Sequence, residues 1–234
     1  MNGSFTLDYF RNWYDYNISF GFQLLQSHIQ ETEELIIKGI EKYEKSVETE
    51  EIIYDEFHST FTDYYLGVDS STYSLDEIFK EYFPNLKRQS LFLMVCSYME
   101  HELYKLCLDV QKNEQTTFSV NDMSSRIGKI EKIKKYFTNT FIKNYDKKFE
   151  IEWKVFRNYY RIRNDLTHNF GKITLSNNEL KLFISKQKFL SINHSNELIM
   201  DKGFPEEMFE NLISLCKTIQ DLIRKYYDTK HHQN

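Results

Sequence analysis

Two prolines and seven glycines are the only strong chain breakers in 234 residues. A β fold of that length needs a turn about every ten residues, so the scarcity of breakers favours long helices. The chain contains no alanine. Large apolar side chains must therefore make the helix contacts, and close packing through small residues is not expected. Aromatic residues, 16% of the chain, supply the core material. The 41% hydrophobic and 28% charged content suits one large globular domain, or one domain with an added subdomain.

Helical spacing recurs along most of the sequence. Phe22, Leu25, Ile29, Ile36, Ile40, Tyr43 and Val47 repeat at three- and four-residue intervals, and Tyr54, Phe57, Phe61 and Tyr65 continue the pattern. This predicts a long acidic helix, or two helices broken near Gly39 or the Glu48–Glu51 stretch. A loop follows at 67–74, then a short helix, 75–83, that ends before Pro84. The strongest stripe is Leu91, Met94, Val95, Tyr98, Met99, Leu103, Leu106 and Val110, on a helix over 86–110. Asn121 or Asp122 can cap a helix over 123–138. A further helix runs from near Lys147 to about Asn169, closed by Gly171 in a left-handed conformation. Short β-like runs over 172–200 predict a small ribbon of two or three strands. The last helix begins at Pro205, with Glu206 and Glu207 in its first turn. The expected fold is an all-α bundle. It has an acidic helical extension (1–85), a main helical domain (86–228) with the β insertion, and a disordered tail (229–234).

Charge is unevenly distributed. Residues 1–85 carry 5 basic and 17 acidic side chains, whereas 126–172 carry 13 basic and 5 acidic. The basic region points to an anionic partner. Cys96, Cys107 and Cys216 lie within apolar helical patterns and form no Cys-x-x-Cys pair, which predicts buried free thiols in a reducing compartment. No basic leader followed by an apolar run opens the sequence, and no apolar stretch reaches the roughly 18 residues that span a bilayer. The expectation is a cytoplasmic protein without a membrane partner.

The most chemically loaded segment is Arg161 to Ile173, RIRNDLTHNFGKI. Arg157, Arg161, Asn164 and His168 fall at steps of four, three and four, so they share one helix face. Arginine offers a fixed fork of donors that fits a phosphate, and histidine moves a proton near neutral pH. RNA supplies its own nucleophile, the 2′-hydroxyl. Such a site needs no metal, and no carboxylate–histidine cluster in the sequence offers to hold one. Arg163 and His168, however, differ in direction by roughly 140° on a straight helix. A loosened last turn, the reach of Arg163, or a symmetric dimer would each bring them together. The bland alternative is a solvated helix end, with His168 favoured by the helix dipole. Lys129, Lys132, Lys134 and Lys135 form either an ordinary solvated face or part of an RNA track, to which Lys154 also belongs. Glu100 is a candidate support for Arg163. His101 and Glu102 read as packing or rim residues. His231 and His232 end a polar tail that is either disordered or metal-binding.

Arg163-Asn164 with His168 after four intervening residues, then Asn169-Phe170-Gly171, resembles the signature of HEPN domains (higher eukaryotes and prokaryotes nucleotide-binding). The upstream Ser97–Cys107 segment, with Glu100 three residues before Leu103, resembles that family's earlier core helix. The resemblance covers about 86–228 and implies an all-α bundle that forms a homodimer. It also implies a metal-independent endoribonuclease, without cofactor, of toxin–antitoxin, CRISPR-associated or anti-phage systems. An antitoxin or defence-system partner protein follows from that setting. Arg163 then matches the phosphate-contacting arginine, His168 the general base and Asn164 the supporting polar residue. Arg161 also satisfies the spacing, with the better helical phase, and Arg157, Arg161, Lys154 and Lys135 become RNA contacts. A non-catalytic RNA- or protein-binding module is the other outcome such scaffolds allow. In one toxin branch a tyrosine two residues after the histidine is nucleotidylated by the antitoxin; here that position is Phe170.

Overall fold

A computed structural model of the chain describes residues 8–114, 118–142, 145–169, 171–174 and 178–231. It is mostly helical, with two small antiparallel sheets among the described residues. A π-helical segment, Tyr14–Ile18, leads into α1 (Ser19–Ser46). Three strands follow, β1 (Glu48–Asp55), β2 (His58–Tyr65) and β3 (Val68–Asp69). A second π segment, Glu77–Tyr82, runs directly into α2 (Phe83–Glu114). Then come α3 (Lys129–Thr140), α4 (Lys147–His168), α5 (Asn178–Ile184), the β4 (Leu190–Ile192) and β5 (Leu198–Met200) pair, and α6 (Phe204–His231).

The core lies where α4 packs along α6 and both pack on α2, with α1 against α2 and α6 and with α3 against α2. Phe92, Met99 and Leu103 of α2 meet Trp153, Phe156, Tyr159 and Ile162 of α4 and Leu212, Leu215 and Ile219 of α6. Phe10, Trp13, Ile18, Phe22 and Ile29 join the same cluster, so the first helix is built into the core. Each such side chain, fully buried, stabilises the fold by about 1.5–3 kcal/mol in transfer terms. Gly21 lets α1 sit down on α2: a Cβ there would collide with the Tyr98 hydroxyl. The three cysteines are buried and unpaired, as expected.

Several expected boundaries move. α1 passes through Gly39 and ends at Ser46, and the chain then turns to strand, so the helix expected over Tyr54–Tyr65 is a hairpin. Val47, Thr49, Ile52, Ile53, Thr60 and Thr62 are β-branched and favour extended backbone, and successive glutamates along one helix face would repel. The Asp55 carboxylate accepts from the Phe57 N–H at 2.8 Å and fixes the turn. The helix before Pro84 does not stop there. The preceding π segment absorbs the register change that the proline ring and its missing N–H impose. α3 starts at Lys129, not 123, capped by Gly128 without a side-chain bond. Among the described residues only Leu190–Ile192 and Leu198–Met200 of the expected ribbon are strands, with an isolated bridge between Lys172 and Glu197. Residues 178–184 are helical because Leu180 and Ile184, four apart, both bury. α6 continues to His231, so Thr229 and Lys230, expected in a disordered tail, are helical; residues 232–234 lie outside the described residues.

Candidate functional site

α4 starts and stops on specific bonds. The Asp146 carboxylate accepts from the Phe149 N–H at 2.9 Å and caps its first turn. At the other end the helix is regular through His168, and Gly171 takes φ +84°, the left-handed position expected of it. The Asp165 carboxylate accepts from the Thr174 N–H at 3.0 Å and the Thr174 hydroxyl at 2.8 Å, and also from Asn169 Nδ2 at 3.1 Å. The chain leaving α4 is thereby drawn towards β5, where the Leu198 N–H donates to the Gly171 carbonyl at 3.1 Å.

The cations of α4 sort into two groups. Arg161 Nη1 lies 2.7 Å from one Glu179 oxygen, and Arg157 Nη2 and Lys154 Nζ each lie 3.4 Å from the other. Three expected RNA contacts therefore converge on one carboxylate of α5. The hydrogen bond from Arg161, before any other cause, holds the Glu179 carboxyl below the usual carboxylate range. Arg163 points elsewhere. Its Nη1 donates to Asn164 Oδ1 at 3.1 Å, and its guanidinium stacks over the Tyr160 ring at 5.5 Å. Burial first, and then the bond to Glu100, pushes the Tyr160 hydroxyl up to about 12.

His168 is exposed on the last turn, and among the described residues no hydrogen bond or ion pair engages its ring. The helix does not loosen before His168, so Arg163 and His168 keep their divergent helical directions within one chain. Asn164 orients Arg163 and not the imidazole. Glu100 does face the motif helix, but through Tyr160, and its ion pair is with Lys129 at 2.9 Å. Lys129 also sits over the Tyr104 ring at 4.6 Å, Lys134 pairs with Glu150 at 2.7 Å, and Lys135 is exposed. Phe170 lies outside the described residues.

A cavity of about 680 Å³ abuts the end of α4. Leu166 and Gly171 line it, with Asn85, Gln89 and Leu93 of α2 and Glu197 before β5. Asn85 Nδ2 and Gln89 Nε2 both donate to the Leu198 carbonyl at 2.9 Å, fixing one wall to the ribbon. Among the described residues no group of three or more His, Cys, Asp or Glu side chains is placed to hold a metal, and no helix is long and apolar enough to cross a membrane.

Sequence reasoning missed Glu179, Asp165 and Tyr160. Glu179 carried a signal: it is the only carboxylate between Asp165 and Glu197. Asp165 carried none beyond its place in the last turn of a helix. Comparison with models of protein families, with curated proteins and with solved structures finds no match to this chain.

Proposed function

We propose that this chain is a metal-independent endoribonuclease of the HEPN type whose reactive site is completed by a second copy of the chain. His168 of one protomer removes the 2′-proton of a ribonucleotide. The freed oxygen attacks the adjacent phosphorus, the bond to the 5′-oxygen breaks, and a 2′,3′-cyclic phosphate and a 5′-hydroxyl result. Arg163 of the other protomer stabilises the charge that builds on the phosphoryl oxygens. The observation that carries this reading is the placement of an exposed His168 one helical turn beyond Asn164, which together with Tyr160 holds the Arg163 guanidinium in a fixed fork. Two such helix ends brought together by a two-fold axis would give each histidine an arginine from across the axis.

The test is cleavage of RNA in EDTA, with product ends identified, by wild type, His168→Ala and Arg163→Ala. Both variants should lose activity. Mixing them should restore activity to about one quarter of the wild-type level, because random exchange gives half mixed dimers with one complete site each. Full activity in either single variant rejects the reading, and no recovery on mixing rejects the shared site. The convergence of Lys154, Arg157 and Arg161 on Glu179 favours a second reading, a non-catalytic RNA-binding module. Such a module would bind RNA without cleaving it, with affinity falling steeply with salt.

A further inference from the structure

The β1–β2 hairpin leaves acidic and apolar side chains open to solvent. Residues 46–79 hold nine carboxylates and no lysine or arginine, and six of the nine are on the hairpin or its turn. Its tip is nonetheless apolar: Ile53, Tyr54, Phe57 and Phe61 are 70, 69, 88 and 71% exposed. Glu51 pairs across the strands with Phe61 and Ile53 with Ser59, so Ile53 and Phe61 are diagonal neighbours on one open face that Glu51 shares. Exposed apolar side chains gathered in this way mark an interaction surface more often than scattered ones do.

The hairpin is firmly based. Tyr43, Tyr65 and Phe79 form a ring-on-ring cluster with centroids 4.7–5.2 Å apart, closed by Leu75, and the Tyr43 hydroxyl donates to Asp76 at 2.8 Å. A prong held this way loses little freedom when it docks. Its outer strand, β1, displays Glu48, Glu50, Glu51 and Asp55, charges that oppose addition of another strand along the edge. Contact is therefore through the tip and the open face.

The chain also carries the complementary surface. Lys147, Lys148, Ile151 and Lys154 are spaced to share one exposed face at the start of α4, and Tyr145 stands just before it. Tyr145 and Ile151 are 78 and 56% exposed. Lys147 has no acidic partner among the described residues, and Lys148 reaches Glu152 only at 3.9 Å.

We propose that the hairpin of one copy docks on the Lys147–Lys154 face of α4 of a second copy. Phe57 and Phe61 meet Tyr145 and Ile151, and the hairpin carboxylates meet Lys147 and Lys148, while Lys154 stays on Glu179. The aromatic side chains anchor the contact, and the charges set its register and its salt dependence. Lys147 and His168 are separated by 21 residues of helix, roughly 30 Å, so this contact leaves the end of α4 open. It does not depend on the nuclease reading.

The full chain is weighed by light scattering or sedimentation at low and high salt. Wild type should exceed the mass of one chain at low salt, with its dissociation constant rising about tenfold or more as salt screens the charges. Phe57→Ser with Phe61→Ser should abolish this salt-dependent association and leave no assembly larger than the two-fold pair of the proposed reactive site. Glu51→Lys with Glu56→Lys, and separately Lys147→Glu with Lys148→Glu, should do the same, and all four together should restore association. As a second measurement, Phe57→Cys and Ile151→Cys chains are mixed and oxidised, and a disulfide should join the two variants to each other. A wild-type chain whose mass is the same at low and high salt overturns the proposal. So does an association indifferent to the phenylalanine pair, a fourfold exchange that restores nothing, or the absence of the mixed disulfide.

Discussion

The start-to-end face of α4 and the β1–β2 hairpin are both rich in one sign of charge, and they treat it in opposite ways. From Lys154 onward the cations of α4 are folded onto internal partners: three on Glu179, and Arg163 on Asn164 and Tyr160. On the hairpin Glu48, Glu50 and Glu51 have no cationic partner among the described residues, and the tip aromatics are uncovered. A face whose charges are closed internally opens only to a competitor of higher charge density, such as a polyphosphate backbone. A face left open needs only a neighbour. The first arrangement is the one expected of a ligand site at rest, and the second of an interface.

The largest effect that would break this contrast is on catalysis. His168→Ala should reduce RNA cleavage by about 10²–10⁴-fold, the range for loss of a general base. His168 is exposed and unbonded, so the unfolding midpoint should not move, which separates lost chemistry from lost structure. Next in size is the buried pair of Arg88 with Glu33, whose two bonds are 2.6 and 2.8 Å, with a third from Arg88 to the Met200 carbonyl at 3.3 Å. It ties α1 to α2 and the ribbon beneath the region that carries the hairpin. Arg88→Ala strands the Glu33 carboxylate and should cost about 3–5 kcal/mol, read by denaturant titration. Glu33→Leu with Arg88→Met should recover most of that loss.

The same contrast explains what the sequence could reveal. The stripe of α2 was legible because its residues, Met94 apart, are buried or packed on the core, as helical periodicity presumes. Tyr54, Phe57 and Phe61 also sit three and four apart, yet all three are exposed and divided between two strands and a turn. Spacing misled there because helical periodicity presumes burial within the chain, and these residues are not buried in it. The helical spacing of α3 extends back in sequence to Met123 and Ile127, but the backbone becomes helical only after Gly128. At the site, the divergence of Arg163 from His168 was legible from 3.6 residues per turn. The Glu179 closure was not, because it depends on where α5 lands, and neither was the Tyr160 platform that connects Arg163 to Glu100.

Stability should respond at the base of the hairpin and not at its tip. Phe79→Ala removes a ring from the cluster with Tyr43 and Tyr65 and should cost about 3 kcal/mol. Phe61→Ser should stay within about 0.5 kcal/mol of wild type when measured at concentrations too low for self-association. Equal costs at both positions would mean that the tip is packed in solution and that the hairpin is not an open surface.

The smallest expected effect is the most direct probe of the closed face. Glu179→Gln frees Lys154, Arg157 and Arg161 at once while preserving shape. The ion pairs are well exposed, so the loss at neutral pH should be below about 1 kcal/mol. Because the folded state holds the Glu179 carboxyl below its ordinary range, its contribution is present above the usual glutamate pKa of about 4.3 and lost as pH falls through the folded value. Wild-type and variant unfolding curves should therefore differ slightly at neutral pH and converge in acid. RNA affinity should move the other way: tighter by a few-fold in the variant, with the salt slope steeper by up to about two to three units as the freed cations each displace a counterion. A variant that loses the small stability increment but binds RNA with unchanged affinity and slope would remove these three cations from the RNA path. The charge on α4 would then be structural, and Arg163 with His168 would have to act without them.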